Sequence, residues 1–155
     1  MTMNDPSKDI AACPFCGMVR GEVDAHRVYA DPAVFAILDR RPINPYHLLV
    51  IPTVHVADFY DLDEVVYAHL MRVARRLAAV VKVLASPRKV GLLIAGFDVP
   101  HTNVHVIPMH DYHDITSKRL LDNSLTRAST AELAANAARI KEVLQTSPFP
   151  REAAR

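Results

Sequence analysis

The chain has 155 residues, 50% of them hydrophobic and 23% charged, with 18 Lys and Arg against 17 Asp and Glu for a formal net charge of +1. That is about one domain's length and ordinary globular usage, which excludes a largely disordered chain. The near-zero charge excludes a global basic footprint for nucleic acid or an anionic membrane. The longest charge-free stretch, residues 42–57, holds Pro42, Pro45 and Pro52, which excludes it as a membrane-spanning helix.

Taken in chain order, residues 1–11 are polar and expected to fray, and MTMNDPSKDIAAC has no basic start followed by an apolar run. No secretion signal is expected there, and the chain is placed in the cytoplasm. The only cysteines, Cys13 and Cys16, stand too close together to staple a domain. In a reducing compartment such a pair binds metal or is redox-active. Strands are expected at 27–29, 34–38, 47–51, 90–95 and 103–107, rich in Val, Ile and Leu and bounded by Asp, Pro and Gly. The third and fourth lack alternation, which predicts burial on both faces. Asp39 to Pro45 forms the turn between the second and third, its two prolines fixing the backbone.

Leu62, Val66, Leu70, Val73, Leu77, Val80 and Leu84 recur at three- and four-residue steps and predict an amphipathic helix over 62–85. Asp61 and Glu64 read as its capping box, and Ser86-Pro87 as its end. Residues 117–128 read as a loop, and a second helix is expected over 130–144, opened by Ser129 with Glu132 and stopped before Pro148. The sum is an α+β domain over 12–116, an antiparallel sheet of about five strands with the long helix packed on one face. A C-terminal extension over 117–147 carries the second helix, and 148–155 form a tail. No segment repeats.

Eight histidines are present, and His101, Asn103 and His105 alternate along a predicted strand. Period-two spacing puts these three on one face and Thr102, Val104 and Val106 on the other. On spacing alone the row reads equally as a pocket wall or as a solvent-facing strand face.

With its surroundings the row says more. HTNVHVIP (101–108), preceded by CPFCGMVRGE (13–22), VFAILDRRPINPYHLLVIPTVH (34–55) and the long helix, resembles the histidine-triad (HIT) superfamily of nucleotide hydrolases and transferases, in its bacterial, Hint-like branch. The resemblance covers about residues 13–110. It implies binding of a purine nucleotide such as AMP or GMP. It further implies hydrolysis or transfer at the α-phosphate of a phosphoramidate, acyl-adenylate or dinucleoside polyphosphate, through a nucleotidyl-histidine intermediate.

The departure lies at Asn103, where the family carries its nucleophilic His. A carboxamide nitrogen is delocalised into its carbonyl and is a very poor nucleophile, so activity is expected to be impaired or trapped, whether Asn103 is a natural change or a deliberate replacement. The alternative reading is a non-catalytic nucleotide-binding or regulatory protein. Uridylyl transfer fits less well, because that branch is larger and duplicated.

Residue by residue, the resemblance implies that His105 contacts the α-phosphate and assists the leaving group, and that His47 joins the same relay. Asp39 would accept the ribose hydroxyls, while Phe15, Met18 and Ile37 would form the apolar base pocket, with core packing as their other reading. The segment 95–100, AGFDVP, lacks the family's Gly-Gln-Ser/Thr stretch. Asp98 therefore either points away from phosphate or marks an altered leaving-group preference.

Cys13 and Cys16 with His55 and His101 would make a Cys₂His₂ zinc site, as in zinc-bearing relatives, and such a Zn²⁺ would be structural. Free thiols are the other main reading, and a redox pair lacks its usual strand-helix context. His26, His69, His110 and His113 are expected at the surface or pocket rim. Relatives of this size pair through the long helix and its neighbouring strand, so a homodimer with a continuous sheet is expected, with neither nucleic acid nor membrane as partner.

Overall fold

The computed structural model describes residues 10–115 and 125–146. The expected tails, over most of 1–11 and all of 148–155, and most of the 117–128 loop lie outside these residues.

The described elements are α1 (Pro14–Arg20), β1 (Arg27–Ala30), β2 (Val34–Leu38), β3 (Leu48–Pro52), α2 (Glu64–Ala85), β4 (Lys89–Leu93), β5 (Val104–Met109) and α3 (Thr130–Thr146). The five strands form one sheet in the order β1-β2-β3-β5-β4, every neighbour antiparallel. The long helix lies on one face, as the hydrophobic period requires. Leu70, Val73, Leu77 and Val81 of α2 and Leu133 and Ile140 of α3 pack against Val34, Ala36, Leu48, Val50, Val104 and Val106.

The alternate residues of the central strands point the other way. Phe35, Ile37, Leu49 and Ile51 form a second cluster with Cys13, Phe15, Cys16 and Met18. Every residue of β2 and β3 is therefore buried, which explains why neither strand alternates in sequence. The expectation for the fourth strand fails. β4 is an edge strand with Leu92 41% exposed, so its apolar run reflects an open side of the sheet. Gly91 in this strand is held by close approach, since a Cβ there would lie 2.3 Å from Ile115 Cδ1.

Three local expectations shift. The cap of α2 is Asp63, not Asp61: its carboxylate accepts from the N–H groups of Val65 (2.9 Å) and Val66 (3.4 Å), the free amides of the first turn. Asp61 instead closes a 3₁₀ turn over Phe59–Asp61. The last strand begins at Val104, so His101 and Asn103 sit in the segment leading into it. The short helix α1 escapes periodicity reading because seven residues span barely two turns. Pro14 starts it, Gly21 ends it at φ 77°, and the Arg27 guanidinium donates to the Met18 carbonyl.

The C-terminal helix begins as read, with Ser129 Oγ accepting from the Glu132 N–H at 3.1 Å. Arg76 ties it to α2 by donating to the Leu144 carbonyl at 2.9 Å. His69, expected at the surface or pocket rim, meets Asp31 at 2.7 Å and joins α2 to the β1–β2 turn. The Asp31 carboxylate also takes the Tyr29 hydroxyl at 2.6 Å and the N–H groups of Ala33 and Val34 at 2.8 Å. Burial opposes its ionisation, but these four donors prevail and hold its pKa down to about 2.

Candidate functional site

The loop between β2 and β3 carries the first half of the site. Asp39 leaves β2 with its N–H on the His47 carbonyl at 2.9 Å, and its Oδ1 accepts from the Arg41 N–H at 2.8 Å. Tyr46, buried at φ 72°, turns the chain through a left-handed conformation and delivers His47 into the interior, where it is 2% exposed. A non-glycine residue in that region costs roughly 1–2 kcal/mol, here offset by the packing of the loop.

His47 is oriented by a backbone group. Its Nδ1 accepts the Ile43 N–H at 3.2 Å, so in the neutral ring the proton resides on Nε2, which donates to His105 Nδ1 at 3.0 Å. His105 must then carry its own proton on Nε2. The Asp39 carboxylate stands 3.8 Å from His47 Nε2 and 4.0 Å from His105 Nδ1. Burial pushes the His47 pKa down, to about 4, and lowers that of His105, outweighing the nearby Asp39 in both cases. Burial thus favours the neutral form of both rings.

β5 directs its residues as alternation demands: Val104 and Val106 enter the helix-side core, and His105, opposite Leu49, faces the other side. There a cavity of about 690 Å³ opens, with Asn103, His105, His47 and Asp39 along one wall. Phe15, Leu49 and Val99 bound it toward α1, while Leu93, Ile107 and Ile115 line it toward β4. Phe97, 96% exposed, and Asp98 stand at its margin. Met18 and Ile37 are buried beside Phe15 and do not line the cavity, so of the three apolar residues singled out in the sequence only Phe15 reaches it. Asp98 does face the cavity. Arg41, Phe97 and Ile115 also line it without having been singled out; Arg41 had a signal in the Asp-Arg-Arg-Pro loop, whereas Ile115 had none.

Asn103 is 6% exposed and donates from Nδ2 to the His101 carbonyl at 2.9 Å. Position 103 thus holds an anchored carboxamide, with no basic nitrogen.

A second cluster lies behind this wall. Ligand atoms of Cys13, Cys16, His55 and His101 all lie within 4.8 Å of one another. Cys13 Sγ is 3.4 Å and Cys16 Sγ 3.6 Å from His101 Nδ1, and Cys16 Sγ is 3.2 Å from His55 Nδ1. A tetrahedron with Zn–S of about 2.3 Å and Zn–N of about 2.0 Å has S···N edges of roughly 3.6 Å. The tautomer also fits: His101 donates from Nε2 to the Pro52 carbonyl at 2.9 Å, which leaves the Nδ1 lone pair toward the sulfurs. Neither cysteine is in a disulfide. Burial and the neighbouring Cys13 push the Cys16 thiol up to about 11.

Asp39, His47 and His105 form a second set within the same 4.8 Å limit. Here the chemistry does not fit a metal, because the Ile43 N–H occupies the His47 Nδ1 lone pair and places a proton on the nitrogen that would have to ligate.

The sheet, the long helix and this pocket define an α+β domain of the HIT type. A HIT domain profile matches residues 20–112, and the chain belongs to the HIT family. Among its relatives, the adenosine 5′-monophosphoramidase of Saccharomyces cerevisiae is 32% identical over 114 residues, 70% of each chain. A zinc-bound histidine triad family protein from Mycobacterium smegmatis superposes with a TM-score of 0.71 at 25% identity, over 88% of this chain and 96% of that one. A hypothetical histidine triad nucleotide-binding protein from Sulfolobus tokodaii gives 0.72 at 26% identity, over 86% and 93%. Among the described residues no helix is long and apolar enough to cross a membrane.

Proposed function

We propose that the chain binds the 5′-phosphoryl end of a purine nucleoside in the 690 Å³ cavity, with its phosphorus against Asn103 and His105. The observation that carries the reading is the shared wall of Asn103, His105, His47 and Asp39, laid between an apolar end at Phe15 and an open margin at Phe97. Phe15, Leu49 and Val99 suit a purine face, and the Asp39 carboxylate suits two vicinal ribose hydroxyls. The His105 Nε2–H is a donor for a phosphoryl oxygen.

Were an imidazole at position 103, it would attack the α-phosphorus, expel the leaving group with a proton from His105, and be freed by water. That scaffold is a nucleotidyl hydrolase or transferase, and the yeast relative supports a P–N substrate. Asn103 supplies no such nucleophile, so this chain turns over weakly or serves as a nucleotide-binding protein. Release of AMP from adenosine 5′-phosphoramidate, compared between the chain and Asn103→His, tests the reading. A large gain on restoring His supports a hydrolase scaffold halted at one side chain; AMP binding without turnover in either supports the binding protein.

Cys13, Cys16, His55 and His101 would hold a structural Zn²⁺, clamping α1 onto the sheet behind Phe15 and Asn103. The fit of distances and tautomer supports this, as does the zinc-bound neighbour. The open β4 edge, with Leu92 exposed, supports a homodimer that continues the sheet.

A further inference from the structure

The two polar groups that would meet the phosphoryl group have opposite hydrogen-bonding character. The Ile43 N–H sets the direction of the His47–His105 relay, so the ring nitrogen that His105 has left, Nε2, is a donor. Asn103 is oriented in the same manner. A carbonyl only accepts, so the atom 2.9 Å from the His101 oxygen is the amide nitrogen, and the free end of the side chain is Oδ1. Among the described residues Oδ1 has no protein donor, and no side-chain oxygen is sealed from solvent without a partner. It therefore opens on the cavity that Asn103 lines.

The charges facing the cavity point the same way. From the β2–β3 loop come Asp39, Arg41 and His47, from β5 comes His105, and from the segment before it comes Asp98. With neutral imidazoles these groups sum to one net negative charge. A dianionic phosphate would bring two further charges and no hydrogen, and one of its oxygens would abut the Asn103 oxygen, acceptor against acceptor.

On the reading that a nucleoside 5′-phosphoryl end lies between these residues, we propose that Asn103 and His105 form an acceptor–donor pair. This pair selects a singly charged phosphoryl group that carries a hydrogen, above all the P–NH of a nucleoside 5′-phosphoramidate, over a dianionic nucleoside monophosphate. The P–NH donates to Asn103 Oδ1 while a phosphoryl oxygen accepts from His105 Nε2. A protonated monophosphate offers the same pattern through P–OH and binds by the same pair at lower pH. The replacement at position 103 thus turns the place of attack into a place of recognition.

Four ligands titrated into the full chain as purified, at pH 8, decide the matter: adenosine 5′-phosphoramidate, AMP, the methyl ester of AMP and adenosine. Phosphorus-31 spectra of the same samples identify the bound species. The phosphoramidate is expected to bind on the order of tenfold tighter than AMP, the size of a hydrogen bond gained against a repulsion removed. It should exceed the methyl ester, which has the same single charge and no hydrogen. AMP should bind more tightly as pH falls from 8 to 6, with the bound phosphorus signal that of the monoanion. Asn103→Ala should erase the advantage of the phosphoramidate over the methyl ester, and if that variant does not fold, the ligand series still decides.

AMP binding as tightly as the phosphoramidate at pH 8, or the methyl ester matching it, would overturn the pair while leaving the nucleotide pocket standing. Failure of all four ligands to bind would remove the pocket reading and the pair with it.

Discussion

His101 and His105 stand four residues apart on one segment, and each meets a second histidine that flanks β3, His55 and His47 respectively, yet the two pairs are built for different chemistry. The His101 ring gives its Nε2 proton to the Pro52 carbonyl and turns a lone pair toward Cys13 and Cys16. The His47 ring takes the Ile43 N–H on Nδ1 and turns a proton toward His105. One backbone acceptor leaves a ring nitrogen able to ligate a metal, and one backbone donor leaves a proton where a ligand lone pair would have to be. Counting histidines, or measuring their mutual distances, would place a metal in both clusters; the tautomer set by the main chain separates them.

The sharpest way to test the separation is to place an imidazole between the two pairs. Asn103→His should raise AMP release from adenosine 5′-phosphoramidate by on the order of 10³-fold or more, the scale on which covalent nucleophiles count, while zinc content measured by elemental analysis stays unchanged. Next in size is the metal itself. The purified chain should carry about one zinc per protomer and lose it in Cys16→Ser, with thermal unfolding falling well below that of the parent. His47→Ala should leave zinc in place and cost about 1–3 kcal/mol in urea unfolding, because it strands the buried Ile43 N–H. Loss of zinc in His47→Ala would break the distinction between the pairs.

Two smaller effects concern protons. The Asp31 carboxylate, at about 2 in the fold against an ordinary value of 3.8, stabilises the native state above about pH 4 and loses that contribution as pH falls toward 2. Asp31→Asn should therefore cost about 2 kcal/mol at pH 7 and close to nothing at pH 2, read by urea titration at both. For His47 the folded pKa lies below the usual 6.5, so the unfolded chain takes up its proton first. Unfolding free energy should decline as pH drops from 6.5 toward 4, and His47→Gln should flatten that decline.

Much of this was legible in the chain. The three- and four-residue period of α2 and the closed apolar run of β3 follow from local patterning, because a buried stripe must repeat with the pitch of its element. The side chains of the pocket wall were legible only through the family resemblance, since spacing alone left their row open, while the cysteine pair showed by type and spacing. What escaped was short or relational. Seven residues of α1 are too few to show a period, and the apolar run of β4 cannot tell an open edge from a covered centre. The capping role passed from Asp61 to Asp63 because a 3₁₀ turn intervenes.

The sequence by itself determined which groups are present and which elements carry them: an antiparallel sheet, a long helix on one face, and a row of His101, Asn103 and His105 beside it. Only the tertiary structure decided which way each group points its proton. Pro52, Ile43 and the His101 carbonyl lie 49, 4 and 2 residues from the side chains they orient. A hydrogen bond's direction depends on where folding brings its partner, and spacing along the chain does not carry that information.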